Sequence, residues 1–422
     1  MSYLLKNKML IFCGISHLSI NYGVTAAKLN YNVSFFDNNK KINDFLNKKI
    51  KYNEPKLDKY LKEYSQNISF ISNLPHDLSK IILFIAIDIK TSEKNISNYN
   101  QINKMINYLN QNIKKKLSPL VIMSQVKPSF TRSISWPKNL LYYQVETLVF
   151  GNAISRAENP ERIIIGTANG LKVKNKLYLN YLNTFKTYLI YMKYEEAELC
   201  KMFINSYLVA NVTLTNNLAK ICKKLNLDWN KPKKALKLDK RIGKYAYLNP
   251  GLGISGGNLE RDIYNLNTIS KNLKLNSKLF EVFINESNKQ KKWINNQINY
   301  LTRSKLIKKS SKIGVVGISY KDNTNSIKNS PSLKILSILK DYNLICYDPL
   351  LQNLKLNSLN IKWLNLKLLI NRCDVLFIMH KNIQINTLLD KKNSKIKNKV
   401  IIDPYNIIKN TIKNNIIYHD SL

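Results

Sequence analysis

The chain has 422 residues, 44% of them hydrophobic, and a formal net charge of +40. That length allows two or three domains with a large core. There is no apolar run of the roughly 18 residues a transmembrane helix needs, and the start, "MSYLLKNKMLIFCG", lacks the apolar length and small-residue cleavage site of a signal peptide.

Five cysteines (Cys13, Cys200, Cys222, Cys346, Cys373) are scattered and never in CxxC spacing. They argue against a disulfide framework or a zinc site, so no metal is expected and a reducing, cytoplasmic location is. The positive charge is nearly all Lys, spread along the chain beside Asn and Ile, while Arg, the better reader of phosphates and bases, is rare. It reads as a solvated lysine surface, so neither a specific nucleic-acid partner nor membrane insertion is expected.

In chain order, "MLIFCGI" is a short apolar strand, "NYGVTAAKLN" a helix, and "NVSFFD" a second strand ending in an acid. "KIILFIAID" and "PLVIMSQV" are further apolar strands with helical patterns between them. Such alternation implies a parallel sheet covered on both faces. From Glu195 to Leu225 no Pro or Gly interrupts a helical periodicity, which predicts one helix more than about 40 Å long. A helical region continues to about Lys305 and holds "GLGISGGNLERD", four glycines in seven residues and then an Arg-Asp pair. From Lys312 the strand–helix pattern restarts with "KIGVVGISY", a helix opening on Ser-Pro in "SPSLKILSILKDY", and the strands "NLICYDP", "CDVLFIMH" and "NKVIIDPYN". The second half thus repeats the first: strand, Gly turn, helix, strand, Asp. The fold class is α/β, with two Rossmann-like domains joined by a central long-helix domain.

The first turn, "GISHLS", stands where a dinucleotide-binding turn carries GxGxxG. Gly14 keeps the tight turn. Ser16 replaces the glycine that lets a pyrophosphate approach the backbone, though its hydroxyl could itself donate to phosphate. Ser19 replaces the glycine that lets helix and strand pack closely. Asp37, ending the second strand, can accept both ribose hydroxyls, which favours NAD over NADP. The opposing reading is an α/β turn that no longer binds a dinucleotide. In the second glycine loop, Gly251, Gly253, Gly256 and Gly257 offer backbone N–H groups able to close around an anion or a sugar.

The ordered segments "NEPKLDKYL", "NPERIIIG", "CKMFINSYLVAN", "KRIG", "NPGLGISGG" and "GISYKDNTNSIKNSP" span nearly the whole chain. In that order and spacing the sequence resembles the UDP-glucose/GDP-mannose dehydrogenase family. The resemblance implies an NAD-binding domain at 1–190, a central helical dimerisation and substrate domain at 191–305, and a nucleotide-sugar domain at 306–422, assembled as a homodimer. The family oxidises a sugar C6 alcohol to an acid, passing two hydrides to NAD through a Cys thioester.

Carried over residue by residue, Lys201 and Asn205 match a Lys and an Asn that share one helix face at i, i+4. Lys201 would stabilise a developing alkoxide, Asn205 would hold a water, and Asp262 would accept the hydroxyl proton, or else serve only as a helix cap. Glu146 matches a Glu that assists thioester hydrolysis. Gln125 replaces a Thr that handles water, and Lys328 replaces an Arg at the cofactor. Arg241 matches an Arg that reaches the partner subunit's sugar site, Lys321 a Lys on the nucleotide sugar, and Asp403 opens "DPYN", where Tyr405 replaces a substrate-binding Arg. No thiol stands in the glycine loop, and Cys200, beside Lys201, points about 100° away on the helix. Without a thiolate no thiohemiacetal forms, and a second oxidation must proceed through an aldehyde hydrate or not at all. The expected activity is therefore one NAD-dependent hydride transfer on a UDP-sugar in polysaccharide biosynthesis. The alternative is a nucleotide-sugar-binding pseudoenzyme or scaffold.

Overall fold

The computed structural model describes residues 8–92, 96–352, 354, 356, 359–380, 385, 388, 399–408 and 416–418. The chain divides into two compact units, Met1–Ile204 and Asn205–Leu422.

The first unit opens with β1 (Met9–Cys13), α1 (His17–Lys28), β2 (Asn32–Phe36), α2 (Asn39–Leu46), α3 (Leu57–Glu63), β3 (Ile68–Ile71) and β4 (Ile81–Ile85). A small antiparallel pair, β5 (Lys90–Thr91) and β6 (Ser97–Asn98), follows, then α4 (Asn100–Asn112), β7 (Leu120–Ile122), α5 (Phe130–Ser133) and β8 (Leu141–Gln144). The unit continues with α6 (Ala153–Glu158), β9 (Arg162–Thr167), α7 (Lys176–Asn183) and β10 (Tyr188–Lys193). Among the described residues these strands form an eight-stranded sheet in the order β10-β9-β8-β7-β4-β1-β2-β3, parallel except where β8 meets β9. Consecutive strand residues go to opposite cores: Leu10 and Phe12 pack on one face, Ile11 and Cys13 on the other. Both faces are covered, which is why the central strands read as unbroken apolar runs.

Helix α8 (Tyr194–Lys224) is the long helix, and the division between units falls within it. The second unit adds α9 (Asn230–Leu238), α10 (Asn258–Asn272) and α11 (Lys278–Arg303). After them come β11 (Lys312–Val316), α12 (Pro331–Ile338), β12 (Asn343–Tyr347), β13 (Ile361–Trp363), α13 (Leu366–Arg372), β14 (Val375–Ile378), β15 (Val400–Asp403) and β16 (Ile416–Tyr418). These strands make a parallel sheet in the order β13-β12-β11-β14-β15-β16. Ile313 and Val315 face one core and Val316 the other. Ser330 caps α12 by accepting from Ser332 N–H, with Pro331 at the first helical position, where its missing N–H costs nothing. Among the described residues no helix is long and apolar enough to cross a membrane.

Gly23 lets α1 lie close to the sheet: a Cβ on Gly23 would lie 2.3 Å from the Phe35 ring of β2. Ser19 is buried but spends its hydroxyl on the helix start. Gly23→Ala should therefore lower unfolding free energy by about 1–3 kcal/mol through overpacking, despite the better helix propensity of Ala. Equilibrium urea denaturation measures it, and an unchanged or raised midpoint would contradict the packing assigned to Gly23.

Candidate active site

In the first unit the cofactor turn begins at Gly14, whose φ of +99° lies in the left-handed region and whose N–H donates to Phe36 O at 2.8 Å. Ser16 is the N-cap of α1. It forms a reciprocal box in which Ser16 Oγ accepts from Ser19 N–H at 3.0 Å and Ser19 Oγ accepts from Ser16 N–H at 2.8 Å. The helix therefore starts four residues before the stretch "NYGVTAAKLN" that marks it in the sequence. Ser16 Oγ, expected to be a phosphate donor, instead donates to Ala86 O at 2.5 Å. Asp37 accepts from Ile15 N–H at 2.8 Å and Asn38 N–H at 2.9 Å, and pairs with Lys41 at 3.1 Å. Strand, left-handed glycine, helix N-terminus and terminal acid fit a dinucleotide, and Gly14, the first turn of α1 and Asp37 are the residues that would hold NAD.

Around this turn lie residues the sequence did not single out. His17 Nε2 is 2.8 Å from Glu54 Oε1, and the His17 ring stacks on Phe150 with centroids 4.3 Å apart. Glu54 also accepts from Gly151 and Ala153 N–H at the start of α6. Asp88, just beyond β4, accepts from His17 N–H at 2.9 Å. Gln125 is buried.

Helix α8 carries two of the expected reactive groups. Lys201 is 9% exposed, and among the described residues Lys399 is the only other buried lysine. In so lysine-rich a chain this sets Lys201 apart from the solvated surface. Its Nζ lies 3.0 Å from Glu146 Oε1, so the structure joins these two expected residues as a nearly buried ion pair. Burial of one charge without the other would be costly, which fixes the pair.

In the second unit Asn205 Nδ2 donates to Asp262 Oδ2 at 2.5 Å, and Arg261 Nε donates to Asp262 Oδ1 at 3.0 Å. All three are buried, and Asp262 is 0% exposed. Asp262 is neither a loop residue nor a cap, because α10 begins at Asn258 and carries Asp262 in its first two turns. Arg261 was quoted in the sequence without a role. Its signal was rarity, a buried guanidinium in a chain whose cations are overwhelmingly Lys. Asn205, read as a water holder, is instead the partner of a carboxylate.

The glycine loop is shaped by the protein's own side chains. Gly253 (φ +83°) leaves 2.9 Å between its Cβ position and Ser287, and Gly256 (φ +82°) leaves 2.9 Å to the Tyr320 ring. Gly251 lies against the Tyr405 ring and Gly257 against the Lys328 stem. Asn216 accepts from Gly251 N–H, and Ser287 Oγ accepts from Ile254 N–H. Burial, and then the nearby charge of Arg261, lower the Lys328 amine below the ordinary lysine range. Lys321 sits over the Tyr320 ring, 5.7 Å from its centroid. Arg241 is exposed and paired with Asp239 at 2.7 Å. Asp403 accepts from Tyr405, Ile407 and Ile408 N–H, holding the segment after β15, and burial raises its carboxyl above the ordinary range.

No cysteine occurs between Gly251 and Asp262. Burial raises the Cys200 thiol, outweighing the lowering by Arg162 and Lys201. It also raises Cys346 to about 12 and Cys373 to about 11. None of these is a ready thiolate.

Three parts of the UDP-glucose/GDP-mannose dehydrogenase family match in order: the NAD binding domain over residues 9–181, the central domain over 195–290, and the UDP binding domain over 314–410. A UDP-glucose 6-dehydrogenase from Rickettsia bellii is 30% identical over 417 residues, covering 94% of this chain and 95% of the relative.

The chain belongs to the UDP-glucose/GDP-mannose dehydrogenase family.

A UDP-glucose 6-dehydrogenase from Campylobacter jejuni is 28% identical over 364 residues, covering 84% of this chain and 89% of that one. In fold, the chain is similar to a UDP-glucose dehydrogenase from Pyrobaculum islandicum, with a TM-score of 0.81, 20% identity, and 99% and 98% of the two chains covered. It is also similar to a UDP-D-ManNAc dehydrogenase from Pyrococcus horikoshii, with a TM-score of 0.79, 18% identity, and 98% and 99% covered. The family's NAD-binding and UDP-binding domains are thus both present, at the two ends of the chain.

The buried Asp262 pair yields a stability prediction. Asp262→Ala leaves Arg261 buried without its carboxylate and should cost about 3–5 kcal/mol. Asn205→Ala, which removes one donor, should cost only about 1–2 kcal/mol. Chemical denaturation of the two variants checks the order; equal losses would mean that the guanidinium does not depend on Asp262.

Proposed function

We propose that this chain is an NAD-dependent oxidoreductase acting on a CH–OH group of a UDP-sugar by one hydride transfer, in polysaccharide biosynthesis. The observation that carries this reading is the pair of buried charged sets, Lys201–Glu146 and Asn205–Asp262–Arg261, combined with a glycine loop that contains no thiol.

Bound NAD would supply the acceptor for the hydride that leaves the carbinol carbon. Asp262 takes the hydroxyl proton, so carbon and oxygen together lose a hydride and a proton and a carbonyl results. Asn205 orients Asp262 by donating to Oδ2, and Arg261 holds Oδ1. The Lys201 ammonium stabilises negative charge on the oxygen as the proton leaves, and Glu146 fixes the position of that ammonium. Covalent capture of the carbonyl as a thiohemiacetal requires a nucleophilic thiolate, and the loop that would carry one has Asn258, Leu259 and Glu260 instead. A second oxidation would have to pass through the hydrate of the carbonyl compound, and in this proposal the carbonyl compound is the product released.

A second reading is a nucleotide-sugar-binding protein without redox turnover. It is favoured by the internal hydrogen bonding of the first turn, where Ser16 and Ser19 bond each other and Asp37 bonds Ile15 N–H. Separate calorimetric titrations with NAD and with UDP-sugars distinguish the two, since sugar binding without NAD binding supports the second reading.

Incubation with a panel of nucleotide sugars and NAD, following NADH absorbance and product mass together, should give one NADH per sugar and a product lighter by one dihydrogen. An acid product with two NADH would overturn the single-transfer reading. Lys201→Met should lower turnover by about 10²–10³-fold.

A further inference from the structure

The backbone donors of Gly14, Ile15, Ser16, His17 and Ser19 are spent within the protein. Gly14 N–H donates to Phe36 O, Ile15 N–H to Asp37 Oδ2, and Ser16 N–H to Ser19 Oγ. His17 N–H donates to Asp88 Oδ2 and Ser19 N–H to Ser16 Oγ. The N-terminus of a helix in this position normally offers those donors, and its positive end, to a phosphate. Here a carboxylate of the chain already takes the first of them, His17 N–H.

Asp88 reaches the helix from the segment that follows β4, and this segment is attached to α1 twice. Ala86 O accepts from Ser16 Oγ at 2.5 Å, and two residues on, the Asp88 carboxylate accepts from His17 N–H at 2.9 Å. The serine and the aspartate therefore belong to one arrangement: Ser16 ties the strand end to the turn, and Asp88 supplies the anion. Asp88 as a residue is solvent-exposed, so its carboxylate has somewhere to go when it leaves the helix. A pyrophosphate arriving at the same N–H groups would compete with it for the same donors and repel it as a like charge.

We propose that Asp88 is an internal anion that occupies the phosphate-binding end of α1 and must be displaced before a dinucleotide binds. This rests on the reading that the turn binds NAD. It makes Asp88 a negative regulator of cofactor affinity built into the loop after β4. The cost of displacement is set by the His17 N–H bond and the favourable dipole contact, so removing the charge should tighten NAD binding about tenfold.

The test is calorimetric titration of the full-length protein with NAD alone, in wild type, Asp88→Asn and Asp88→Ala, with urea denaturation of each. Asp88→Asn keeps an acceptor oxygen for His17 N–H and removes the charge, so it provides a folded variant even where Asp88→Ala does not. The proposal expects stability to fall while NAD affinity rises. A residue with a structural role alone would lower both together. Wild-type binding with equal or weaker binding in both variants overturns the displacement and leaves the NAD reading standing. No NAD binding in any of the three proteins overturns both, because freeing the helix end should then have unmasked it.

Discussion

The constraint on which both α/β units depend is the need of the turn after the first strand to find acceptors for its backbone N–H groups. An aspartate at the end of the second strand meets it in each unit. Asp37 Oδ2 accepts from Ile15 N–H at 2.8 Å, and Asp348 Oδ2 accepts from Ile318 N–H at 2.8 Å and Ser319 N–H at 3.1 Å. The preceding left-handed glycines behave alike, Gly14 N–H donating to Phe36 O and Gly317 N–H to Tyr347 O, both at 2.8 Å. Buried N–H groups left without acceptors would each cost about 1–3 kcal/mol, so the acid has a structural task before any ligand arrives. An acid at the end of the second strand is thus not by itself a sign of ribose recognition. Asp348 performs the same bonding in the unit whose family match is to a UDP binding domain.

The α/β class and the order of the main strands were legible because central strands buried on both faces must be apolar throughout. "MLIFC", "IILFI" and "VLFI" leave no other assignment. The long helix was legible because nothing between Glu195 and Leu225 breaks it, and the structure gives Tyr194–Lys224. The start of α1 was not legible. Its capping box uses Ser at both ends in place of the Ser–Glu pair that signals such a start, and its first turn coincides with the glycine motif. The start of α10 was hidden for a related reason: Gly257 precedes it without any side-chain cap, so Asp262 looked like the end of a loop.

The candidate site was legible by residue type and not by partnership. Lys201, Glu146, Asn205 and Asp262 could each be named, but their partners lie far along the chain: 55 residues separate Glu146 from Lys201 and 57 separate Asn205 from Asp262. Asp88 was more deeply hidden, since its partner is a backbone N–H 71 residues away and leaves no side-chain pattern to read. Similarly, the four glycines of the second loop suggested a wrap around a ligand. The structure shows what each must first avoid within its own unit, with Tyr405, Ser287, Tyr320 and Lys328 packed where side chains would otherwise stand.

Burial also bears on the missing nucleophile. A thiol becomes a useful nucleophile when a nearby cation or helix N-terminus lowers its pKa. Cys200 has cations near it, Arg162 and Lys201, yet burial dominates and the thiol moves upward. Lys201, one of those two cations, also pairs with Glu146 at 3.0 Å. The glycine loop thus holds no cysteine, and the thiol beside Lys201 is moved away from the thiolate form by its burial.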